Sequence, residues 1–205
     1  ELAGLVKVKL LGNRSFAVVR DSLWAVNQNY QKHYDYRSFN PVDDERTKEM
    51  MIIGNTIGVF YVESPGTRLY LQKQRSGEFE HNVIAGSVIR PAARRFANII
   101  AKRIQGEPFT HFHPSLKDVL DETFGVLIYQ EQVTQVAMIL ADFDVVEGND
   151  LRKVLGKKHK QKKLSHYKEK FFSGARKKGI EQKTIEDVWE MILSFSGYSF
   201  FKPHS

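Results

Sequence analysis

Residues 150–178 carry twelve Lys or Arg and only two acids, so any structure they form must leave a broad cationic surface open to water or to an anion. The local charge of +10 on a chain whose total is +7 leaves the remainder at −3. A helix reconciles this charge with a core. Leu151, Val154 and Leu155 then bury one face, while Arg152, Lys153, Lys157 and Lys160, at successive spacings of one, four and three, share the other. Such a face gains affinity for nucleic acid by displacing condensed counterions, and it also serves as an ordinary solvated surface. Charge alone leaves both readings open.

The rest of the chain is mostly helical punctuation. Residues 5–11 alternate as a short strand with Lys7 and Lys9 on one face, ended by Gly12 and Asn13. From Arg14 the spacing turns helical, with Phe16, Val19, Leu23 and Val26 on one side, before an aromatic and polar connection. Asp43 or Asp44 caps a short helix ending near Ile53, and residues 58–62 read as a brief strand. Ser64 and Pro65 open a helix over 65–73, because the hydroxyl caps it and proline loses no needed donor at the first position. Further helices are predicted over 79–89 and 92–105, then a short one in 115–123, a strand at 125–129, and a helix through Val133, Val136, Ala137 and Leu140 to a turn at Asp142 and Asp144. Three more follow, over 148–158, 162–178 and 183–195, with Gly179 and Gly197 as stops. The fold class is mainly α, a multi-helix domain with a few short strands.

Composition excludes several classes. With 41% hydrophobic and 27% charged residues the 205-residue chain is that of a folded globular protein, and with no Cys it has neither disulfides nor thiolate metal sites, which fits a reducing cytoplasm. No apolar run approaches the roughly 20 residues of a membrane span. The chain begins without Met or a signal pattern, and reads as a piece of a larger protein. His111 and His113 lack a third ligand at helical spacing and read as solvent-facing loop residues, and His159 and His166 as solvated or phosphate-facing. Asp142, Asp144, Glu147 and Asp150 resemble half a calcium loop but miss its glycine and final glutamate, so no metal site is expected. No phosphate loop, dinucleotide fingerprint or Ser, His and Asp signature is present. Tyr198, released by Gly197 after a packed helix, is either a stacking face for a base or an ordinary core tyrosine.

Six strings, GLVKVKLLGNRS, IGVFYVES, IRPAA, GVLIYQEQV, DLRKVLGKK and SGYSFFKPHS, resemble in order the motifs of the alpha subunit of bacterial DNA polymerase III, the C-family replicative polymerase. The most specific are YQEQV, LRKVLGKK and GYSFFKPHS with their intervening lengths. The resemblance implies the end of a palm at 1–13 and a fingers domain at 14–205, made of a connecting region 14–56, a helical core 57–145 and a basic part 146–205 that holds a nucleotide-pocket motif.

Carried over by motif, Lys7 matches the palm lysine facing the incoming triphosphate, Arg152 and Lys153 match a basic pair, and Tyr198 and His204 match residues lining the nucleotide pocket. Lys157, Lys158, Lys160, Lys162 and Lys163 are the expected DNA-binding set. The implied partners are primer-template DNA, an incoming deoxynucleoside triphosphate and other replisome subunits reached through parts outside this chain, in the cytoplasm and without a membrane. Mg2+ is implied for the intact polymerase, where two ions align attacking and leaving oxygens; the fragment itself would be inactive. Lys9 stands where the family pattern places a palm aspartate, Phe201 replaces an expected asparagine, and Ala92 and Ala93 replace glycine and proline. Because Lys9 offers a cation in place of a metal ligand, the rival reading is a non-catalytic DNA-binding or scaffolding paralogue. An unrelated RNA-binding module fits the charge but not the ordered motifs.

Overall fold

The computed structural model describes residues 14–38, 40, 42–89, 96–156, 161–194 and 202. The chain divides into two compact units, Glu1–Asp43 and Asp44–Ser205. Within the first, α1 (Arg14–Tyr30) is the described element, and none of its residues is buried.

Local chemistry sets the boundaries in the second unit. The Asp44 carboxylate accepts the Thr47 amide at 2.9 Å and opens α2 (Glu45–Ile52). Ser64 accepts the Thr67 amide at 3.2 Å and, with Pro65 in the first turn, opens α3 (Pro65–Gln74) as the sequence predicts. Next come α4 (Phe79–Val88), α5 (Ala97–Ile104), a run of 3-10 and α turns through Pro114–Leu116, α6 (Lys117–Leu120) and Asp121–Thr123, and α7 (Gln130–Ala141). The last three are α8 (Val145–Leu155), α9 (Gln161–Lys177) and α10 (Gln182–Leu193). Helix α8 starts three residues before the predicted 148, because Asp144 accepts the Glu147 amide at 2.8 Å and Glu147 returns the bond to the Asp144 amide at 3.0 Å. Gly179, at φ 73°, takes up the left-handed turn that ends α9.

The mainly helical class is observed, while the two predicted strands within the described residues take other forms. Residues 57–62 are successive turns, tied by a bond from the Thr56 hydroxyl to the Val62 carbonyl at 2.6 Å. Val126, Leu127, Ile128 and Tyr129 are buried, yet the Ile128 and Tyr129 amides donate to the Gln132 side-chain oxygen at 2.9 and 3.0 Å, and only Tyr129 has bridge geometry. A glutamine here takes the place of a neighbouring strand. The palm-type strand at 5–11 lies outside the described residues.

Helix α7 is the centre of the core and packs against both α8 and α9. Val133, Val136, Ala137 and Leu140 are almost fully buried, as their spacing predicts, each large apolar side chain contributing about 1.5–3 kcal/mol of transfer free energy. Two glycines allow the close approach. A Cβ on Gly148 of α8 would lie 2.7 Å from the Thr134 methyl, and one on Gly174 of α9 would lie 2.2 Å from the Ala141 carbonyl oxygen. Trp189 of α10 closes the far side, its ring centre 5.4 Å from Phe171 and 6.2 Å from Phe172.

Candidate functional site

The four residues that open α7 each hold a different part of the molecule. Gln132, only 1% exposed, accepts the two amides just described and donates to the Thr123 hydroxyl at 2.9 Å and the Val119 carbonyl at 3.1 Å. All of its hydrogen-bonding capacity is used in the core, so it fixes where α7 begins. Gln130, on the adjacent face, accepts a 2.6 Å hydrogen bond from Nη1 of Arg152. Glu131 accepts the backbone amide of Lys202 at 3.0 Å. Tyr129, 2% exposed, lies beneath the Lys202 ammonium, which stands 5.5 Å from its ring centre. Burial pushes the Tyr129 phenol well above its ordinary range, with nearby Glu122, Glu80 and Glu131 adding to the effect, so the ring remains neutral.

Between the start of α7 and the middle of α8 lies an open cleft of about 270 Å³, lined by Glu131, Thr134, Gln135, Asn149 and Arg152. Arg152 brings a permanent cation with several donors; Glu131, Gln135 and Asn149 bring acceptors. Glu131 Oε2 and Thr134 Oγ1 are buried and have no hydrogen-bonding partner among the described residues. A ligand combining an anionic group with a donor matches that lining.

Of the residues singled out from sequence, Arg152 lies at this cleft, and its neighbours Leu151, Val154 and Leu155 are buried as predicted. Lys153 reaches Asp150 at 3.4 Å on the exposed side of α8. Lys162 and Lys163 are exposed in the first turn of α9, with no ion pair among the described residues. Lys7, Lys9, Lys157, Lys158, Lys160, Tyr198, Phe201 and His204, with Ala92 and Ala93, lie outside the described residues. Gln130, Glu131 and Lys202 are not assigned by sequence reasoning; for the first two, the polar QEQ at the head of an otherwise apolar helix is the signal, and nothing of the kind marks Lys202.

One histidine expectation changes. His111 is mostly buried, its side chain 14% exposed, packed edge-on against Phe109 at 5.3 Å and with Nε2 3.2 Å from Asp121. His113 accepts the Ser115 amide through Nδ1 and caps the turn at Pro114–Leu116. His111 is therefore not solvent-facing, while His113 stays a partly exposed loop residue. The acids that resemble half a calcium loop are engaged elsewhere: Asp144 and Glu147 cap α8, Glu147 also binds Lys170, Asp142 lies 2.5 Å from Lys178, and Asp150 faces Lys153. Among the described residues no group of three His, Asp or Glu is placed to hold a metal ion.

Known proteins resemble this chain along its whole length. The family model for the bacterial DNA polymerase III alpha subunit finger domain matches residues 16–179. A DNA polymerase III subunit alpha of Caulobacter vibrioides is 36% identical over all of this chain and 18% of its own length. Those of Halalkalibacterium halodurans and Staphylococcus aureus are 33% and 31% identical over all of this chain, and 18% and 19% of theirs. The chain therefore spans about a fifth of the length of the curated relatives it matches.

Proposed function

This chain belongs to the bacterial DNA polymerase III alpha subunit finger domain family, and from that premise we propose that it binds the incoming deoxynucleoside triphosphate and template DNA during template-directed DNA synthesis by a larger cytoplasmic polymerase. The observation that carries this reading is the meeting of three motifs at one place: YQEQV opens α7, Arg152 of LRKVLGKK binds Gln130, and Lys202 of GYSFFKPHS binds Glu131. Sequence separations of 22 and 71 residues are closed there by hydrogen bonds.

In this reading Arg152 meets the triphosphate, because a guanidinium held by Gln130 keeps its remaining donors for phosphate oxygens. Lys153, Lys7, Tyr198 and His204 complete the nucleotide contacts, and Lys162 and Lys163 with Lys157, Lys158 and Lys160 meet the DNA backbone. The described residues offer no fitting set of carboxylates for magnesium. The ions would be held by parts of the polymerase outside this chain, and the chain alone would bind without catalysing; replisome subunits would likewise be met elsewhere. No helix among the described residues is long and apolar enough to cross a membrane.

A fluorescence-anisotropy titration with a dye-labelled dATP tests the reading. The chain should bind it, unlabelled dATP should compete, and Arg152→Ala should weaken binding about tenfold, the order expected when one charge-assisted hydrogen bond is removed. No binding by the unaltered chain, or equal binding by the variant, would refute it. Lys9 favours a second reading, a non-catalytic DNA-binding paralogue. Primer extension by the whole polymerase that improves by orders of magnitude on Lys9→Asp would support the impaired-palm account, and full activity without that change would remove it.

A further inference from the structure

We propose that the groove between α3 and α5 is a second binding site, for a small molecule that joins a flat apolar ring to an anionic group and carries an acceptor on that ring. The inference goes beyond the nucleotide reading, which uses Arg152 and α9, and does not depend on it. The groove measures about 490 Å³, within the usual range for small-molecule sites. Gly66, Leu69, Tyr70 and Lys73 line it from α3, at spacings of three, one and three that set them on one helix face. Ala97 and Asn98 line it from α5. Small residues make the space: a Cβ on Gly66 would have only the Ile89 methyl near it, at 3.5 Å, which is an ordinary contact. The walls are tied together, because the Lys73 ammonium donates to the Asn98 side chain and the Gln105 amide donates to the carbonyls of Lys73 and Ala101, each at 2.9 Å. The groove is therefore preformed.

Its polar groups define what the ligand must bring. Lys73 is held by a neutral amide and makes no ion pair among the described residues. Helices α3 and α5 together carry the cations Arg68, Lys73, Lys102 and Arg103 and no acid, so the rim favours an anion. Tyr70, only 6% exposed, has a buried hydroxyl with no hydrogen-bonding partner among the described residues. A buried polar group without a partner is costly, and this one belongs to a residue that lines the groove. Burial pushes the phenol well above its ordinary range, so it keeps its proton to donate. A long alkyl acid would set methylene groups against that donor and leave it unpaired. An oxygen on a ring satisfies it, while Leu69 and Ala97 cover the ring with apolar surface.

The probe is 6-hydroxy-2-naphthoate, a fluorescent ring with a carboxylate at one end and an oxygen at the other, titrated into the full 205-residue chain. It should bind saturably, and Lys73→Gln should weaken it about tenfold, while Lys183→Gln, an equal change of charge on α10, should leave it unaltered. Gly66→Leu should fill the groove and abolish binding without a matching fall in melting temperature. Tyr70→Phe should weaken this probe about fivefold and leave 2-naphthoate, which lacks the oxygen, unchanged. A merely structural tyrosine would not tell the two probes apart. Thymidine monophosphate sorts the source of the ligand: displacement of the probe makes it a nucleotide, and no displacement makes it a free ring carboxylate. Absence of saturable binding, or binding that neither Lys73→Gln nor Gly66→Leu alters, overturns the site. Equal loss of both probes in Tyr70→Phe overturns the role of the hydroxyl. If Gly66→Leu does not fold, Lys73→Gln and Tyr70→Phe decide by the same criteria.

Discussion

The two ends of α9 carry the same kind of charge and use it differently. Lys162 and Lys163, in the first turn, are exposed and make no ion pair among the described residues. Toward the other end Lys170 binds Glu147, Arg176 donates to Gln182 at 2.9 Å, and Lys178, just past the helix, meets Asp142 at 2.5 Å and the Ile139 carbonyl at 2.7 Å. The amino-terminal lysines are available to an outside anion, while Lys170, Arg176 and Lys178 hold the other end of α9 to α8, α10 and the end of α7. A count of positive charge therefore overstates the surface offered to DNA, since part of it neutralises the chain's own acids.

The packed end gives the largest expected effect. Any side chain on Gly174 meets the Ala141 carbonyl carbon and oxygen at 2.8 and 2.2 Å, and backbone cannot swing aside as a flexible side chain does. Gly174→Val should therefore force α7 and α9 apart and cost about 3 kcal/mol in urea unfolding, the upper range for overpacking. A change below about 0.5 kcal/mol would mean that the helices adjust freely and that this end is no more rigid than the other.

The open end should respond in binding and leave stability alone. Lys162→Gln with Lys163→Gln should reduce the slope of log affinity against log salt for duplex DNA by about 2, close to one unit for each phosphate no longer neutralised. The melting temperature should stay where it was. An unchanged slope would move DNA binding off α9, and an unfolded variant would show that these lysines also serve the fold.

The contrast also marks what is legible in the sequence. Local signals predict the structure correctly: Asp44 and Ser64 open helices, Gly179 closes one, and Leu151, Val154 and Leu155 face inward while Arg152 does not. Each depends on chemistry within a few residues. Residues 125–129 mislead because a short buried apolar run has no period that separates a strand from an extended segment, and the partner satisfying its amides is the Gln132 side chain. His111 misleads because the Phe109 ring and Asp121 that enclose it come together only through the loop's own fold. Arg152 is found by motif, but its hold on Gln130 spans 22 residues and Lys202's hold on Glu131 spans 71, distances that no periodicity encodes.

A smaller effect separates the two ends by charge alone. Lys170→Met leaves Glu147 without its cation and should lower the melting temperature modestly, because the pair is partly open to water, with side chains 37% and 30% exposed. The DNA salt slope should not change. If it falls as much as in the Lys162 and Lys163 double variant, then Lys170 also faces phosphate and the division of α9 into two ends fails.

The smallest predicted effect is the pH response of the same pair. The hydrogen bond from Lys170, and after it the Asp144 amide, holds the Glu147 carboxyl below its ordinary value of 4.5. A carboxyl depressed in the folded state contributes stability that is fully present above its unfolded value and is lost as pH falls through the folded one. The melting temperature should accordingly decline from about pH 4.5 downward, more steeply in the unaltered chain than in Glu147→Gln, which lacks the titrating group. Asp44, also held below its ordinary value, first by the Thr47 hydroxyl, gives a background slope common to both proteins. Only the difference between the two curves reports on Glu147. Parallel curves would show that the bond between Lys170 and Glu147 contributes nothing to the fold, and the packed end of α9 would then rest on its glycine crossing and buried side chains alone.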